Sequence, residues 1–334
     1  MSKSQLTDYD VVVVGGGAAG LNAALVLARS RRAVLVIDSG RPRNAPAAHV
    51  HGFFSRDGTP PGELLAEGRR EITGYGGHVL DAEVREVERG DERFRLRLDD
   101  GREVRARRVL LATGLADELP DVPGLAERWG RDVLHCPYCH GWEVRDEPIA
   151  VLGTGPMSPH QALLFRQWSD RITLLLDGID RPTGEQAAKL AARGVQVIAE
   201  PVDRLEIADD RLRGVRLRSG RLVEASAVAV APRMVARSEP AARLGLEPVP
   251  HPAGSHIPSE AGGRTSIPGV WVAGNLTDLK ATVVAAAASG AESGAMINAD
   301  LVEEDAERAV KEPFSAVAEN RTCEVAMGNG RHGL

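Results

Sequence analysis

The feature that most restricts this chain is the glycine-rich run Gly15-Gly16-Gly17-Ala18-Ala19-Gly20, set directly after the apolar run Tyr9–Val14. A β-branched apolar run of that length reads as a buried parallel strand, and the Ala/Leu-rich Leu21–Ser30 reads as a helix. A second apolar strand, Ala33–Ile37, ends at Asp38, 18 residues after Gly20. The spacing G-x-G-x-x-G is by itself a weak signal. Strand, turn, helix, strand and terminal acid together describe a βαβ dinucleotide site. Glycines permit the tight turn and let a pyrophosphate approach the backbone N–H groups at the helix start, while the acid accepts a ribose hydroxyl.

The chain has 334 residues, enough for about two domains. Its 43% hydrophobic content suits a globular protein with sizeable cores. Its 41 basic and 47 acidic residues give a net charge of −6, which supplies no electrostatic reason to expect nucleic acid. The most membrane-like run, Val11–Ala28, contains three consecutive glycines and Asn22 and follows Asp8 and Asp10. A signal peptide wants basic residues before its apolar stretch. The expectation is therefore a soluble, cytoplasmic protein with no membrane partner.

The remaining chain reads as a repeat of the opening pattern. Arg41–Pro61 is loop, Glu63–Tyr75 an amphipathic helix, and Val84–Val104 antiparallel strands around the turn Asp99-Asp100-Gly101. Val109–Ala112 is a buried strand closed by Thr113-Gly114. After the Pro/Gly-rich Leu119–Gly124 come a strand at Ile149–Leu152, a glycine turn at Gly153–Ser158, a helix at Gln161–Trp168 and a strand at Ile172–Leu176. A helix at Ala187–Arg193 and an alternating stretch at Leu205–Leu222 follow. The chain then returns to a strand at Gly269–Ala273, a turn at Gly274–Asp278 and an Ala-rich helix at Val283–Asp300.

There are three cysteines, Cys136, Cys139 and Cys323, the first two paired as Cys136-Pro137-Tyr138-Cys139. That is too few for a secreted disulfide framework. A lone C-x-x-C in a reducing compartment is catalytic or metal-binding. His135 and His140 flank the pair, but adjacent residues on one short segment make a poor tetrahedron, so no metal is expected. A C-x-x-C closes a small reversible disulfide, and its thiolate pKa is readily lowered.

These motifs, in this order, resemble the low-molecular-weight thioredoxin reductases over about residues 8–305. Those share the N-terminal glycine loop, the turn seen here as Ala112-Thr113-Gly114, a central C-x-x-C, a second glycine loop and a late A-G-D-x-x-D segment. The resemblance implies an α/β fold of two Rossmann-like dinucleotide-binding domains, the second inserted in the first. An FAD domain would comprise residues 1–117 and 246–312, and an NAD(P)-binding-like domain with the cysteines residues 118–245, before a tail at 313–334. It implies FAD held by Gly15, Gly17, Ala18, Ala19, Gly20, Asp38, Ser39, Arg43, Asn44, His51, Val84, Ala112, Thr113, Gly114, Gly274, Asn275, Asp278 and Thr282. Asn275 replaces the family's first acid and Asp278 keeps the second. The helix after them would aim its N-terminus at the flavin, and a homodimer is implied as well. His49, Phe53 and Phe54 lie in the loop after Asp38, where the two phenylalanines are candidates to line a substrate channel.

The resemblance further implies that Cys139 faces the flavin and Cys136 meets the substrate. The reductases carry Asp after the second cysteine, whereas this chain has His140. A histidine takes and gives protons near neutrality, so His140 is a candidate base for a substrate thiol. Cys136–Gly141, C-P-Y-C-H-G, is similar to the dithiol oxidases that close disulfides in natural products of the gliotoxin and holomycin type. In the second glycine loop, Gly153-Thr154-Gly155-Pro156-Met157-Ser158, Pro156 removes an N–H from the phosphate cradle. Asp177 stands where the reductases hold the 2′-phosphate of NADPH with a basic cluster. NAD(P)H is therefore doubtful: NADH and no nicotinamide at all both stay open. The expectation is an FAD-dependent dithiol oxidase acting on a small-molecule dithiol, with molecular oxygen as acceptor and peroxide as product. The alternatives are an NAD(P)H-dependent thioredoxin or disulfide reductase and a flavin-bearing redox sensor.

Overall fold

A computed structural model describes residues 8–311 of the chain; the expected tail and Cys323 lie outside them. The opening strand, Asp8–Val14, pairs in parallel with Val34–Asp38 on one side and Glu103–Leu111 on the other. His78–Asp81 extends the sheet beyond Val34–Asp38, and Val270–Val272 pairs in parallel with the end of Glu103–Leu111. Side-chain alternation makes this sheet the middle of three layers. Val11 and Val13 pack with the helices Ala18–Arg29 and Val283–Lys311, and Val12 and Val14 with Phe94, Leu96 and Leu98 of the opposite layer.

The two helices touch backbone to backbone. A Cβ at Gly290 would stand 2.0 Å from Ala19 O, so only glycine fits that crossing. The Ala-rich composition of Val283–Lys311 is thus the condition for bringing the last strand beside the first loop. This helix runs 11 residues beyond the expected end at Asp300. The polar extension is anchored: Asp305 pairs with Arg32 and with the buried Arg107, and Glu304 with Arg108.

The second parallel sheet has the order Gln196–Ile198, Ile172–Leu175, Ile149–Leu152, Ala227–Val230, Val133–Leu134. An antiparallel ribbon of Val202–Ala208, Arg211–Leu217 and Leu222–Glu224 packs on it. Two parallel sheets of this form make the molecule an α/β protein with two Rossmann-like units. Between them in sequence run Leu115–Glu118 and Arg233–Ala236, which pair antiparallel.

Beyond the long helix, the local expectations hold except at one further helix. The expected antiparallel stretch Val84–Val104 is formed by Val84–Arg89, Phe94–Leu98 and the start of Glu103–Leu111, and the buried strand expected at Val109–Ala112 is the end of that third strand. That strand pairs antiparallel with Phe94–Leu98 along its first half, where burial alternates, and parallel with Val270–Val272 along Val109–Leu111, which is wholly buried. The helix expected at Gln161–Trp168 is Ser158–Phe165, which moves Ser158 from the turn into the first helical residue. No helix among the described residues is long and apolar enough to cross a membrane.

Candidate active site

One groove of about 2020 Å³ runs from the first glycine loop to the cysteines and on to the second glycine loop. Its floor is the strand–loop–helix around Gly15. Gly15 has φ +109°, and a Cβ there would lie 2.4 Å from Ala112 O, so the loop can cross the Ala112 turn only as glycine. A Cβ at Gly17 would meet no protein atom within 4 Å, which leaves open space at the helix start. The first N–H groups of Ala18–Arg29 have no intrahelical partner and face a favourable dipole, so the cradle fits a pyrophosphate.

Most of the expected cofactor residues line this groove: Gly15, Gly17, Ala18, Ala19, Asp38, Ser39, Arg43, Asn44, His51, Val84, Ala112, Thr113, Gly114, Gly274, Asn275 and Thr282. Gly20 is buried behind them in the helix. Asp278 is not among the lining residues. Its exposed side chain accepts the N–H of Lys280 (2.9 Å) and shapes the turn. Asn275 donates to the carbonyls of Asp278 (3.0 Å) and Ala281 (2.9 Å), fixing the approach to the long helix. Phe53 and Phe54 do not line the groove either, and Phe54 is 95% exposed. Tyr138, between the two cysteines in sequence, and Met157 of the second glycine loop are exposed apolar side chains that do line the groove.

Partners distant in the chain tie these residues down. Asp38 forms an ion pair with Arg69, which also holds Asp81 at 2.7 Å. Arg43 makes a bidentate pair with Asp117, 2.7 Å at both contacts, and the Asp117 side chain is 6% exposed. Thr113 Oγ1 donates to Arg237 O at 2.6 Å. The loop after Asp38 and the paired crossing strands are thereby locked to the Ala112-Thr113-Gly114 turn.

Cys136 and Cys139 form a disulfide with a Cα–Cα distance of 5.3 Å. They bracket the single turn Pro137–His140, in which the N–H groups of Cys139 and His140 both donate to Cys136 O at 3.2 Å. Proline at the first helical position suits this start. Gly141 follows because a Cβ there would meet the Trp168 ring at 2.8 Å. Among the described residues, no group of three or more His, Cys, Asp or Glu side chains is placed to hold a metal ion.

The two flanking histidines differ. His135 Nδ1 lies 3.2 Å from Val230 O, and Gln161 Nε2 donates to His135 O, so His135 anchors the cysteine turn to the second sheet. His140 has both ring nitrogens shut from bulk water and without a hydrogen-bond partner. Burial pushes its imidazole below the ordinary value, Glu143 opposes this, and charge on His51 adds to it. A neutral imidazole with uncommitted nitrogens, one residue from Cys139, is an available proton acceptor.

The second glycine loop is occupied by its own chain. The N–H groups of Thr154 and Gly155 donate to Ser158 Oγ at 3.0 and 3.3 Å, and Ser158 is 1% exposed. Two donors that would cradle a pyrophosphate are thus already engaged. Asp177 Oδ1 accepts the N–H of Val202 at 2.7 Å, so this carboxylate caps the following ribbon. Its φ of +43° lies in the left-handed region, which Asp enters more readily than most residues.

Residues 9–291 match the family model described as pyridine nucleotide-disulphide oxidoreductase. The chain belongs to that family. Among curated relatives it is 32% identical to thioredoxin reductase tcpT of Claviceps purpurea, covering 90% of this chain and 96% of the relative. It is also 32% identical to thioredoxin reductase sirT of Leptosphaeria maculans, covering 87% and 93%. The crystal structure of HlmI superimposes with a TM-score of 0.85 at 50% identity, covering 94% of this chain and 97% of that one. This pyridine nucleotide-disulphide oxidoreductase is accordingly an FAD-dependent thiol–disulfide oxidoreductase with the Cys136–Cys139 pair as its disulfide.

Proposed function

We propose that this oxidoreductase oxidises a small, uncharged dithiol to its cyclic disulfide. The observation that carries the reading is the self-engaged second loop: Ser158 Oγ holds the Thr154 and Gly155 N–H groups, so electrons from a nicotinamide lack their usual anchorage. Tyr138, Pro156 and Met157 then serve as an apolar wall beside Cys136. One substrate thiol gives its proton to His140 and attacks Cys136 Sγ, breaking the Cys136–Cys139 bond and leaving Cys139 as thiolate. The second substrate thiol attacks the substrate sulfur of the mixed disulfide and passes its proton to the Cys136 sulfur that it displaces, so His140 keeps the first proton and Cys139 stays a thiolate. The cyclic disulfide leaves, and the two electrons stay on the reduced Cys136/Cys139 pair. FAD, when bound, supplies a two-electron acceptor for that pair and a route to molecular oxygen, giving peroxide. A natural-product dithiol of the epidithio or dithiolopyrrolone type fits the wall and the chemistry.

The relatives' name, thioredoxin reductase, favours a second reading, NAD(P)H-dependent disulfide reduction. One experiment separates the two. The holoenzyme is titrated anaerobically with dithiols, NADH and NADPH in separate cells, and air is then admitted. Flavin bleaching by dithiol, followed by recovery and peroxide in air, supports the oxidase. Rapid bleaching by NADH or NADPH with no response to dithiols overturns it.

A further inference from the structure

His140 has no hydrogen-bond partner, yet the reaction proposed above loads and unloads a proton there. What it does have is a pair of oppositely signed neighbours on separate segments. Glu143 lies three residues on, past the sharp Gly141 turn. His51 comes from the loop after Asp38, and its Nε2 stands 3.4 Å from Glu143 Oε1. The other ring nitrogen of His51, Nδ1, stands 3.4 Å from Asp57 Oδ2. Asp57 is itself fixed by accepting the N–H of Gly52 at 2.8 Å. The His49 ring packs against His51 with centroids 6.0 Å apart. His51 thus carries a carboxylate at each nitrogen, lines the same groove as the cysteines, and bridges the flavin-side loop to the cysteine segment.

We propose that His51 and Glu143 are a positioning pair that sets the proton affinity of His140, and so the pH at which the cysteine pair accepts thiols. The proposal rests on His140 acting as the base for the substrate thiol. The charged groups bearing on His140 are Glu143 from its own segment and His51 from the opposing loop. Asp57 and His49 act one step removed, through His51. Glu143 favours the imidazolium and charged His51 disfavours it, so the contact between them balances the two effects. The contact also makes that balance depend on how the loop is seated. A substrate that displaces His51 from Glu143 would leave the carboxylate free to stabilise the newly protonated His140.

The signature is a pair of shifts in opposite directions. Anaerobic stopped-flow reduction of the holoenzyme flavin by dithiothreitol is followed from about pH 5 to 9 in the wild type, Glu143→Gln, His51→Gln and the double variant. The wild-type rate rises with pH as His140 loses its proton and becomes an acceptor. Glu143→Gln removes the charge that favours the imidazolium, so its acid limb moves to lower pH. His51→Gln removes the opposing charge, so its limb moves to higher pH. Each shift is expected to be about half a pH unit, the worth of one partly exposed charge, and the double variant should lie between. Limbs that stay in place while only amplitudes fall, or that move the same way, overturn the proposal. A wild type whose flavin no dithiol reduces at any pH instead overturns the reading of the function on which it stands.

Discussion

Replacing His140 by glutamine isolates the base from the scaffold. Because both imidazole nitrogens are unpaired, no partner loses a hydrogen bond, and the change should alter stability by no more than about 1 kcal/mol. The catalytic loss is larger. A positioned general base is typically worth about 10²–10⁴ in rate, and at pH 7 His140 is available in neutral form because burial holds its pKa below the ordinary histidine range. A thiol of pKa near 8.5 is only about 3% ionised at pH 7 and about 90% at pH 9.5. The variant must rely on that ionised fraction, so its flavin-reduction rate should climb about 30-fold across the interval. The wild type should change much less above neutrality. The assay is anaerobic single-turnover reduction by a small dithiol, with circular dichroism and flavin content confirming an intact holoenzyme. An equal fractional loss at both pH values, or no loss, would refute the role of His140 as base.

Other expectations follow from the same geometry. Cys136→Ser, Cys139→Ser and the double change should all reduce dithiol-driven oxygen uptake to one common background, because the two sulfurs act as a unit; appreciable turnover by either single variant would mean that the substrate reaches the flavin directly. Arg43→Ala leaves the buried Asp117 carboxylate unpaired and should cost about 2–4 kcal/mol in urea unfolding, allowing for the partial exposure of Arg43. Removing Asp117 as well should recover part of that loss. Gly15→Ala forces an alanine into φ +109° against Ala112 O and should destabilise the loop by about 1–3 kcal/mol, read as a lower flavin-to-protein absorbance ratio after purification.

The parts of the site legible in the sequence are those encoded by short, contiguous patterns. The loop Gly15–Gly20, the acid Asp38 and the pair Cys136/Cys139 announce themselves because strand, turn and helix period change within a few residues. What escaped reading depends on residues far apart in the chain. Arg43 meets Asp117 across 74 positions and Asp38 meets Arg69 across 31, and no local period encodes either pairing. Leu115–Glu118 and Arg233–Ala236 are strands of four residues, too short to show alternation. Asp177 is legible as an acid at the end of its strand, but its bond to the Val202 N–H spans 25 positions and no local pattern encodes it. The weakness of the second glycine loop shows in the sequence through Pro156, whereas the bonds from the Thr154 and Gly155 N–H groups to Ser158 Oγ depend on a side-chain rotamer that no pattern encodes. The long helix ends later than its apolar pattern does because ion pairs to Arg107 and Arg108 take over from packing.

The pairing of Val270–Val272 with Val109–Leu111 has a consequence for how the molecule is made. The strand ending at Leu111 leaves the ribosome with one side bare, and its neighbour emerges about 160 residues later. At about 5–20 residues per second that interval is about 8–30 s. All five strands of the second parallel sheet are complete by Val230, well before the first sheet receives its last strand. Gly290 and Gly294 then arrive last and dock against Ala19 and Ala23, two of the earliest helical residues made. The nascent chain therefore carries an exposed apolar strand edge at Val109–Leu111 for about half of its synthesis. Chaperone demand and aggregation during expression should be governed by that edge, whatever the stability of the finished enzyme.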